Sequence, residues 1–221
     1  MREPDAAAGL PQDQEPFAVA QALIESRQNI SPRHLVEPGP SREQLDAMLS
    51  LAAAAPDHGQ LTPWRFVLVP TEQRHRLAEV FALSLVDRDP GATQAQVADA
   101  REKAYRAPLL LVAIASLGSR EPDTPALERM VSMGAAIQNL LLGAHAMGFG
   151  TGLTSGQAMS SPHLRRLCGL DDGEVAGVLA FREVIQAIVK NGGALGTLQV
   201  RGVMDDHPLT CTPETEIDED R

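Results

Sequence analysis

The chain has 221 residues, of which 43% are hydrophobic and 22% are charged, as in an ordinary globular domain. Its formal net charge of -10 argues against a nucleic-acid-binding surface, because phosphate contacts require clustered lysine and arginine. The longest apolar run, Leu109 to Ala115, is far shorter than the ~20 residues that cross a bilayer, so we expect no membrane contact.

The N-terminal composition and the cysteines favour a cytoplasmic protein. Residues 1–15 mix proline, glutamine and acidic residues without an apolar run, which predicts a disordered arm and not a signal peptide. Cys168 and Cys211 are isolated, which predicts free thiols in a reducing compartment. The six histidines are scattered without metal-ligand spacing, so we expect no metal site.

The first half of the chain alternates helical patterns with one apolar strand. Apolar residues at helical spacing predict a helix over Phe17 to Glu25. Ser41 is a suitable N-cap for a second helix, with Gln44 three residues on as in a capping box. Phe66 to Pro70 follows as a strand, and we expect Thr71 to cap a third helix.

The second half contains two further strand candidates and one long helix. The predicted elements are a polar helix over Thr93 to Tyr105, a strand over Leu109 to Ser116, a helix from Ala126 to about Met147, a short helix opened by Ser161 and Pro162, and a strand over Val175 to Phe181. The apolar run from Leu109 to Ser116 is typical of a strand buried on both faces. Because strands and helices do not alternate regularly, the pattern favours an α+β layout.

A polar loop between the second helix and the first strand is the strongest functional signal. Pro56 stops the alanine-rich helix, and Pro63 and Trp64 lead into the strand. Between them, His58 and Gln60 stand at the mouth of the predicted core, where hydrogen-bonding side chains often meet a cofactor.

This loop, together with Arg27-Gln28-Asn29 and Gly148 to Gly156, resembles the nitroreductase family of flavin enzymes. It is most similar to the branch that reads A-P-D-H here, and the resemblance ends at about Val178. The resemblance implies an FMN-binding domain over residues 16–181, with a central, mainly antiparallel sheet flanked by helices and FMN at the interface of a homodimer. It also implies that NADH or NADPH reduces the flavin, which then reduces a small-molecule acceptor, such as a nitroaromatic or a quinone, by a ping-pong mechanism.

The same resemblance assigns site residues, none of them catalytic, because the cofactor brings the redox chemistry. FMN would be bound by Arg27, Gln28 and Asn29 near its phosphate, by His58 and Gln60 at its ring, and by Leu153, Thr154 and Ser155 in a loop that passes over the flavin. The nicotinamide nucleotide would meet Gly143, Ala144, His145, Ala146, Met147 and Gly148.

The chain departs from this family branch at several expected flavin contacts. Ala54 replaces an arginine, Gln28-Asn29 replaces Arg-Ser, and Leu153-Thr154 replaces Trp-Arg. Arg33 is a candidate to supply missing positive charge near the phosphate. These losses favour one alternative, a non-catalytic dimer that keeps the scaffold. A second alternative, within enzymes, is a flavin reductase of another substrate such as an enone or a halogenated aromatic.

The long helix bears on the oligomeric state. From Met133 to Met147 it is apolar on nearly every face, so we expect it to be buried all round, either in the core of a monomer or along a dimer interface. The resemblance favours the dimer, in which Leu140→Asp or Leu141→Asp would abolish both dimer and flavin.

The C-terminal segment, residues 182–221, is atypical for the family and ends in an acidic tail. A reading-frame shift and a true family variant both explain the loss of resemblance. We expect poor order beyond about Asn191, and Lys190 or Arg201 is at best an uncertain substitute for the usual C-terminal cation of the phosphate site.

Overall fold

The computed structural model describes residues 15–118, 124–154 and 156–183, the last seven by their backbone alone. The first helix begins at Glu15, inside the segment expected to be a disordered arm, and earlier than the predicted Phe17. The rest of that arm, Ser155 and the C-terminal segment beyond Glu183 lie outside the described residues.

Six helices and four strands make up the described part of the chain. The helices are α1 (Glu15–Ser26), α2 (Arg42–Ala53), α3 (Arg74–Arg88), α4 (Gln94–Glu102), α5 (Ala126–Ala146) and α6 (Pro162–Leu167). The strands are β1 (Trp64–Leu68), β2 (Leu109–Ser116), β3 (Phe149–Thr154) and β4 (Glu174–Glu183). Short 3₁₀ turns connect several of them. None of these helices is both long and apolar enough to cross a membrane.

The four strands form one antiparallel sheet in the order β1-β2-β4-β3. The register places Val112 of β2 opposite Val178 of β4, and Gly152 of β3 opposite Ala180 of β4. The sheet is therefore central and antiparallel and is flanked by helices, which confirms the predicted α+β fold.

The central strand β2 separates two hydrophobic cores. Leu109, Leu111, Ala113 and Ala115 pack on the face that carries α2 and α5, whereas Leu110, Val112 and Ile114 pack on the face that carries α3 and α6. Seven of its eight residues are buried, as the continuous apolar run predicted. Trp64 and Phe66 of β1 belong to the first core, and the predicted capping box of Ser41 and Gln44 starts α2 beneath them.

Two local predictions were wrong. Thr71 does not cap α3, because Thr71–Gln73 forms a 3₁₀ turn after the extended Pro70 and the α-helix begins only at Arg74. Gly148 to Gly156 is not a loop throughout, since Phe149–Thr154 is strand β3 and pairs with β4. Glycine is unfavourable in strands, so this segment showed no strand signal, and β3 is stabilised by its pairing with β4.

A buried arginine joins the start of α3 to the chain before β2. Arg74 is 3% exposed, and its guanidinium donates to the carbonyl oxygens of Val69, Ala104, Ala107 and Pro108 at 2.8–3.1 Å. Burial lowers the pKa of Arg74 to about 10, so the group remains protonated at neutral pH. These bonds satisfy carbonyls that neither a helix nor the sheet would otherwise pair.

We expect Arg74→Met to lower the free energy of unfolding by roughly 3 kcal/mol, because it leaves buried carbonyls without a donor. Arg76→Met is the control, since it removes the same charge from a less buried position on the same helix. Urea denaturation followed by circular dichroism measures both, and equal loss in the two variants would contradict this role of Arg74.

Candidate functional site

The extended segment after α1 lies directly against β3. Asn29 forms a parallel bridge with Thr151, and the Ile30 amide donates to the Thr151 carbonyl at 2.7 Å. The Asn29 side-chain oxygen accepts from the Leu153 amide at 2.9 Å. A Cβ on Gly152 would collide with the Ile30 carbonyl oxygen, so the contact requires glycine here. Because residues 29 and 30 pair with β3, the 3₁₀ turn that follows them, Pro32–His34, lies near the end of β3.

A cavity of about 530 Å³ opens at this end of β3. It is lined by Ser31, Pro32 and Arg33 from the turn, Phe81, Ser84, Leu85 and Arg88 from α3, Gln96, Asp99, Ala100 and Lys103 from the α4 region, Arg106 and Leu110 near the start of β2, and Thr154, Gly156, Gln157, Ala158 and Met159 from the end of β3 onward. Its size lies within the range of ~300–1,000 Å³ that is typical of small-molecule and cofactor sites.

Positive charge dominates the lining of this cavity. Arg33, Arg88, Lys103 and Arg106 face a single carboxylate, that of Asp99. Within the described part of the chain, none of these five side chains has a hydrogen bond or ion pair. An excess of cations without protein partners attracts anions, which makes the cavity suited to a ligand that carries phosphate or carboxylate.

The structure brings only some of the predicted FMN contacts to this cavity. Thr154 lines it, as does Arg33, the candidate for the missing charge. Leu153 is 43% exposed on the outer part of β3, and Gln28 is exposed. Asn29 has its side chain engaged with β3, so its visible role is to position the chain.

Arg27 lies outside the cavity, near the C-terminal end of α5. There the Ser26 hydroxyl is 2.8 Å from Nε2 of His145. Burial, and secondarily the charge of Arg27, lowers the pKa of His145. Arg27 therefore lies beside the end of α5 and does not line the cavity with the other cations.

His58 and Gln60 occupy a separate, exposed position. They belong to the 3₁₀ turn His58–Gln60, whose chain is fixed by a bond from the Thr62 amide to the Asp57 carboxylate. Nδ1 of His58 lies 2.7 Å from Oε2 of Glu128, in the first turn of α5. Neither side chain lines the cavity of its own chain.

The segment assigned to the nicotinamide nucleotide forms the last turn of α5 and its C-cap. Gly143 and Ala144 are buried, and Gly143 lets the helix approach Leu51 of α2 closely. Ala146 is exposed, while Met147 and Gly148 are half-buried. None of these residues lines the cavity, so a single chain does not bring this segment to the same ligand.

Sequence analysis missed Lys103, Arg106 and Arg88. On α4, Gln96, Asp99 and Lys103 recur at helical spacing and line the cavity together. The polar composition of this helix led us to expect a solvated face. A groove between two such faces gives no distinctive signal in the sequence, because polar residues recur at helical spacing whether they line a cavity or face solvent.

Comparison with known proteins assigns the family. The model of the nitroreductase family matches residues 24–181, and the chain belongs to that family. A relative from Haemophilus influenzae, whose name places it among NAD(P)H nitroreductases, is 32% identical over 139 residues, which are 63% of this chain and 74% of that protein. YdjA of Escherichia coli K12, named in the same way, is 30% identical over 158 residues, 71% of this chain and 84% of that protein.

Solved structures share the fold. The nitroreductase-like family protein of Bacillus cereus has a TM-score of 0.62 and 20% identity, and the match covers 90% of this chain and 95% of that one. A mutant of NfnB, an FMN- and NADPH-dependent nitroreductase from sphigopyxis sp. strain HMH, has a TM-score of 0.59 and 18% identity, with 76% of this chain and 89% of that one covered.

We expect Gly152→Ala to lower the free energy of unfolding by about 2 kcal/mol, because the new methyl group displaces the Ile30 carbonyl from β3. Gly91→Ala is the control, as its Cβ would meet only the Asp89 carboxylate at 3.4 Å. Urea denaturation of the two variants compares them directly. If Gly152→Ala is as stable as the control, the close approach is not a structural requirement.

Proposed function

We propose that this protein binds FMN in the cavity and uses NADH or NADPH to reduce a small-molecule acceptor such as a nitroaromatic or a quinone. The observation that carries the proposal is the basic cavity at the end of β3, which contains Thr154 from the family resemblance and Arg33, the candidate for the missing positive charge. The donors fit the group: the phosphate of FMN is a dianion, and guanidinium and ammonium groups are its natural partners.

Bound FMN would accept hydride from the nicotinamide and pass reducing equivalents to the acceptor. The protein's part in this proposal is to bind and orient. Arg33 would hold the phosphate, Thr154 would meet the flavin, and the walls of α3 and α4 would limit access of water. If the nucleotide and the acceptor use the same cavity in turn, ping-pong kinetics follow.

The proposal includes a homodimer, supported by exposed apolar surface. On α5, Leu127 is 75% exposed and Val131 is 65% exposed, and no residue of α1 is buried. Gly134, on the same side of α5, has nothing within 4 Å of a built Cβ, so a second helix could approach it closely. A partner chain over this face would cover these side chains.

Within one chain, helix α5 has a buried face and an exposed face. The exposed residues Leu127 and Val131 precede Met133–Met147, whose burial in a monomer core or along a dimer interface stays a prediction. Leu140 and Leu141 are 0% and 5% exposed in the core, whereas Val131 and Leu127 point outward. Leu140→Asp or Leu141→Asp would therefore disrupt the folded chain itself and would not report on the dimer. Substitutions on the exposed face are the informative ones.

On this proposal, His58 and Gln60 serve the site of the partner chain, because they lie outside the cavity of their own chain. We also propose that the protein works in the cytoplasm. The buried free thiol of Cys168 is compatible with a reducing compartment.

The flavin proposal is tested by the cofactor content of the purified protein, for which we expect about one FMN per chain, as in a single-site flavoprotein. Arg33→Ala should weaken FMN binding by about tenfold, the size expected for loss of an exposed charge-assisted bond. Arg27→Ala is the comparison, since Arg27 lies outside the cavity. Fluorescence titration of the flavin-free proteins measures both affinities.

The outcomes of that titration are distinct. Loss of affinity only in Arg27→Ala would move the phosphate away from the cavity, to the end of α5. A protein that binds no FMN at all would overturn the proposed function and favour a non-catalytic scaffold.

We expect Val131→Asp to weaken the dimer by at least an order of magnitude and to release FMN, because it buries a carboxylate at the interface. Val86→Asp is the matched control on α3, where Val86 is 42% exposed away from this face. Sedimentation velocity over a concentration series measures the dimer. A wild-type monomer that retains FMN would contradict the shared site.

A further inference from the structure

The cations of the cavity are spread along its length. Helix α3 and helix α4 are joined by a short connection, so they run in opposite directions, and Arg101 of α4 pairs with Glu79 of α3 at 2.8 Å. Arg88, the last residue of α3, therefore lies towards the end of α4 that begins at Gln94. Lys103 follows the other end of α4, about 10 Å along the helix axis from Gln96.

The amount of charge exceeds what one phosphate needs. Among the residues that the structure describes, four basic side chains and one carboxylate line the cavity, which leaves a surplus of three positive charges. A phosphate monoester carries about -1.5 to -2 charges at neutral pH. An FMN phosphate bound at Arg33 would leave part of this positive charge unneutralised. Arg88 and Lys103 lie near opposite ends of α4, so one phosphate cannot contact both.

Arg88 lies at the end of an apolar surface that Phe81 and Leu85 form along α3. Phe81, Leu85 and Arg88 recur at positions i, i+4 and i+7 of α3, so they lie on one face of the helix, and all three line the cavity. A flat ring could pack against Phe81 and Leu85 while an anionic group reaches the guanidinium. Ser84, on the same face, already donates its hydroxyl to the Val80 carbonyl and is not free to replace Arg88 as a donor.

We propose that Arg88 binds the anionic group of the second ligand that enters the cavity beside the flavin. The group is a carboxylate or a phosphate, carried either by an aromatic electron acceptor or by the 2′-phosphate of NADPH. Arg88 is thus a specificity-determining residue that selects negatively charged ligands. This inference rests on the proposed function, because the second ligand is defined relative to FMN.

The test compares Arg88→Gln with Arg76→Gln, which removes the same charge from the same helix outside the cavity. One arm measures KM for 4-nitrobenzoate and for its neutral analogue 4-nitrobenzamide. The other arm measures KM for NADPH and for NADH. We expect Arg88→Gln to raise KM about tenfold for either 4-nitrobenzoate or NADPH and to leave kcat within about twofold. KM for the analogue that lacks the extra anionic group, 4-nitrobenzamide or NADH, should not change.

The two arms identify the source of the anionic group. A selective loss for 4-nitrobenzoate identifies the acceptor, and a selective loss for NADPH identifies the nucleotide. Arg88→Lys should recover part of the selectivity, because it restores the charge without the planar guanidinium. If Arg88→Gln changes KM for 4-nitrobenzoate no more than for 4-nitrobenzamide, and KM for NADPH no more than for NADH, the proposal is overturned.

A binding measurement separates this inference from the flavin proposal. Calorimetric titration of 4-nitrobenzoate and of NADPH into each protein needs no turnover, and it can be made whether or not FMN is present. If the protein lacks FMN, the proposed function fails, yet weaker binding to Arg88→Gln than to Arg76→Gln would still support an anion site at Arg88. Unchanged binding of both ligands would overturn it in that case too.

Discussion

The contact between the Ile30 carbonyl and Gly152 holds one wall of the cavity against the sheet. Strand β3 lies at the edge of the sheet, held on one side by β4, and residues 29–31 cover its other side. Only a residue without a Cβ allows the two backbones to come this close. Because the contact places Ser31 to Arg33 beside the end of β3, the wall of the cavity and the pairing of the edge strand depend on the same glycine.

Arginines in this protein fall into two groups with different electrostatic surroundings. Arg74 and Arg65 are structural: Arg74 is satisfied by four carbonyls, and Arg65 pairs with Glu174 at 3.0 Å between largely buried side chains. Removing their partners would leave buried charge, which is costly. The cavity cations are more accessible and have no such partners among the described residues. That contrast is the physical reason to assign Arg33 and Arg88 to ligands and Arg74 to the fold.

Much of the fold was predictable, because its signals are local. The apolar run of β2, the capping box of α2 and the length of α5 all follow from spacing within a single segment. Strand β3 was not predictable in the same way, since its stability comes from β4 and from residues 29–31. The sequence also could not tell which apolar face of α5 is internal, because leucine occurs on both: Leu127 is exposed and Leu140 is buried.

In the candidate site too, some residues follow from local sequence and others only from contacts between distant segments. Thr154 followed from the family resemblance and Arg33 from its charge close to Arg27 in the sequence, whereas Lys103 and Arg88 line one cavity only through the packing of α3 against α4. The pairing of His58 with Glu128 joins residues far apart in the chain and has no local signature. This pairing places His58 beside the surface of the proposed dimer.

Glu128 follows Leu127 in the first turn of α5, close along that helix to Val131, so His58 is held next to the exposed apolar face. Any chain that covers Leu127 and Val131 must also approach His58 and reduce the solvation of the His58–Glu128 pair. A hydrogen bond between polar side chains becomes electrostatically stronger as its surroundings lose water. The proposed dimer would therefore fix the His58 imidazole at the seam between the chains, which is where a site shared by two subunits would need it.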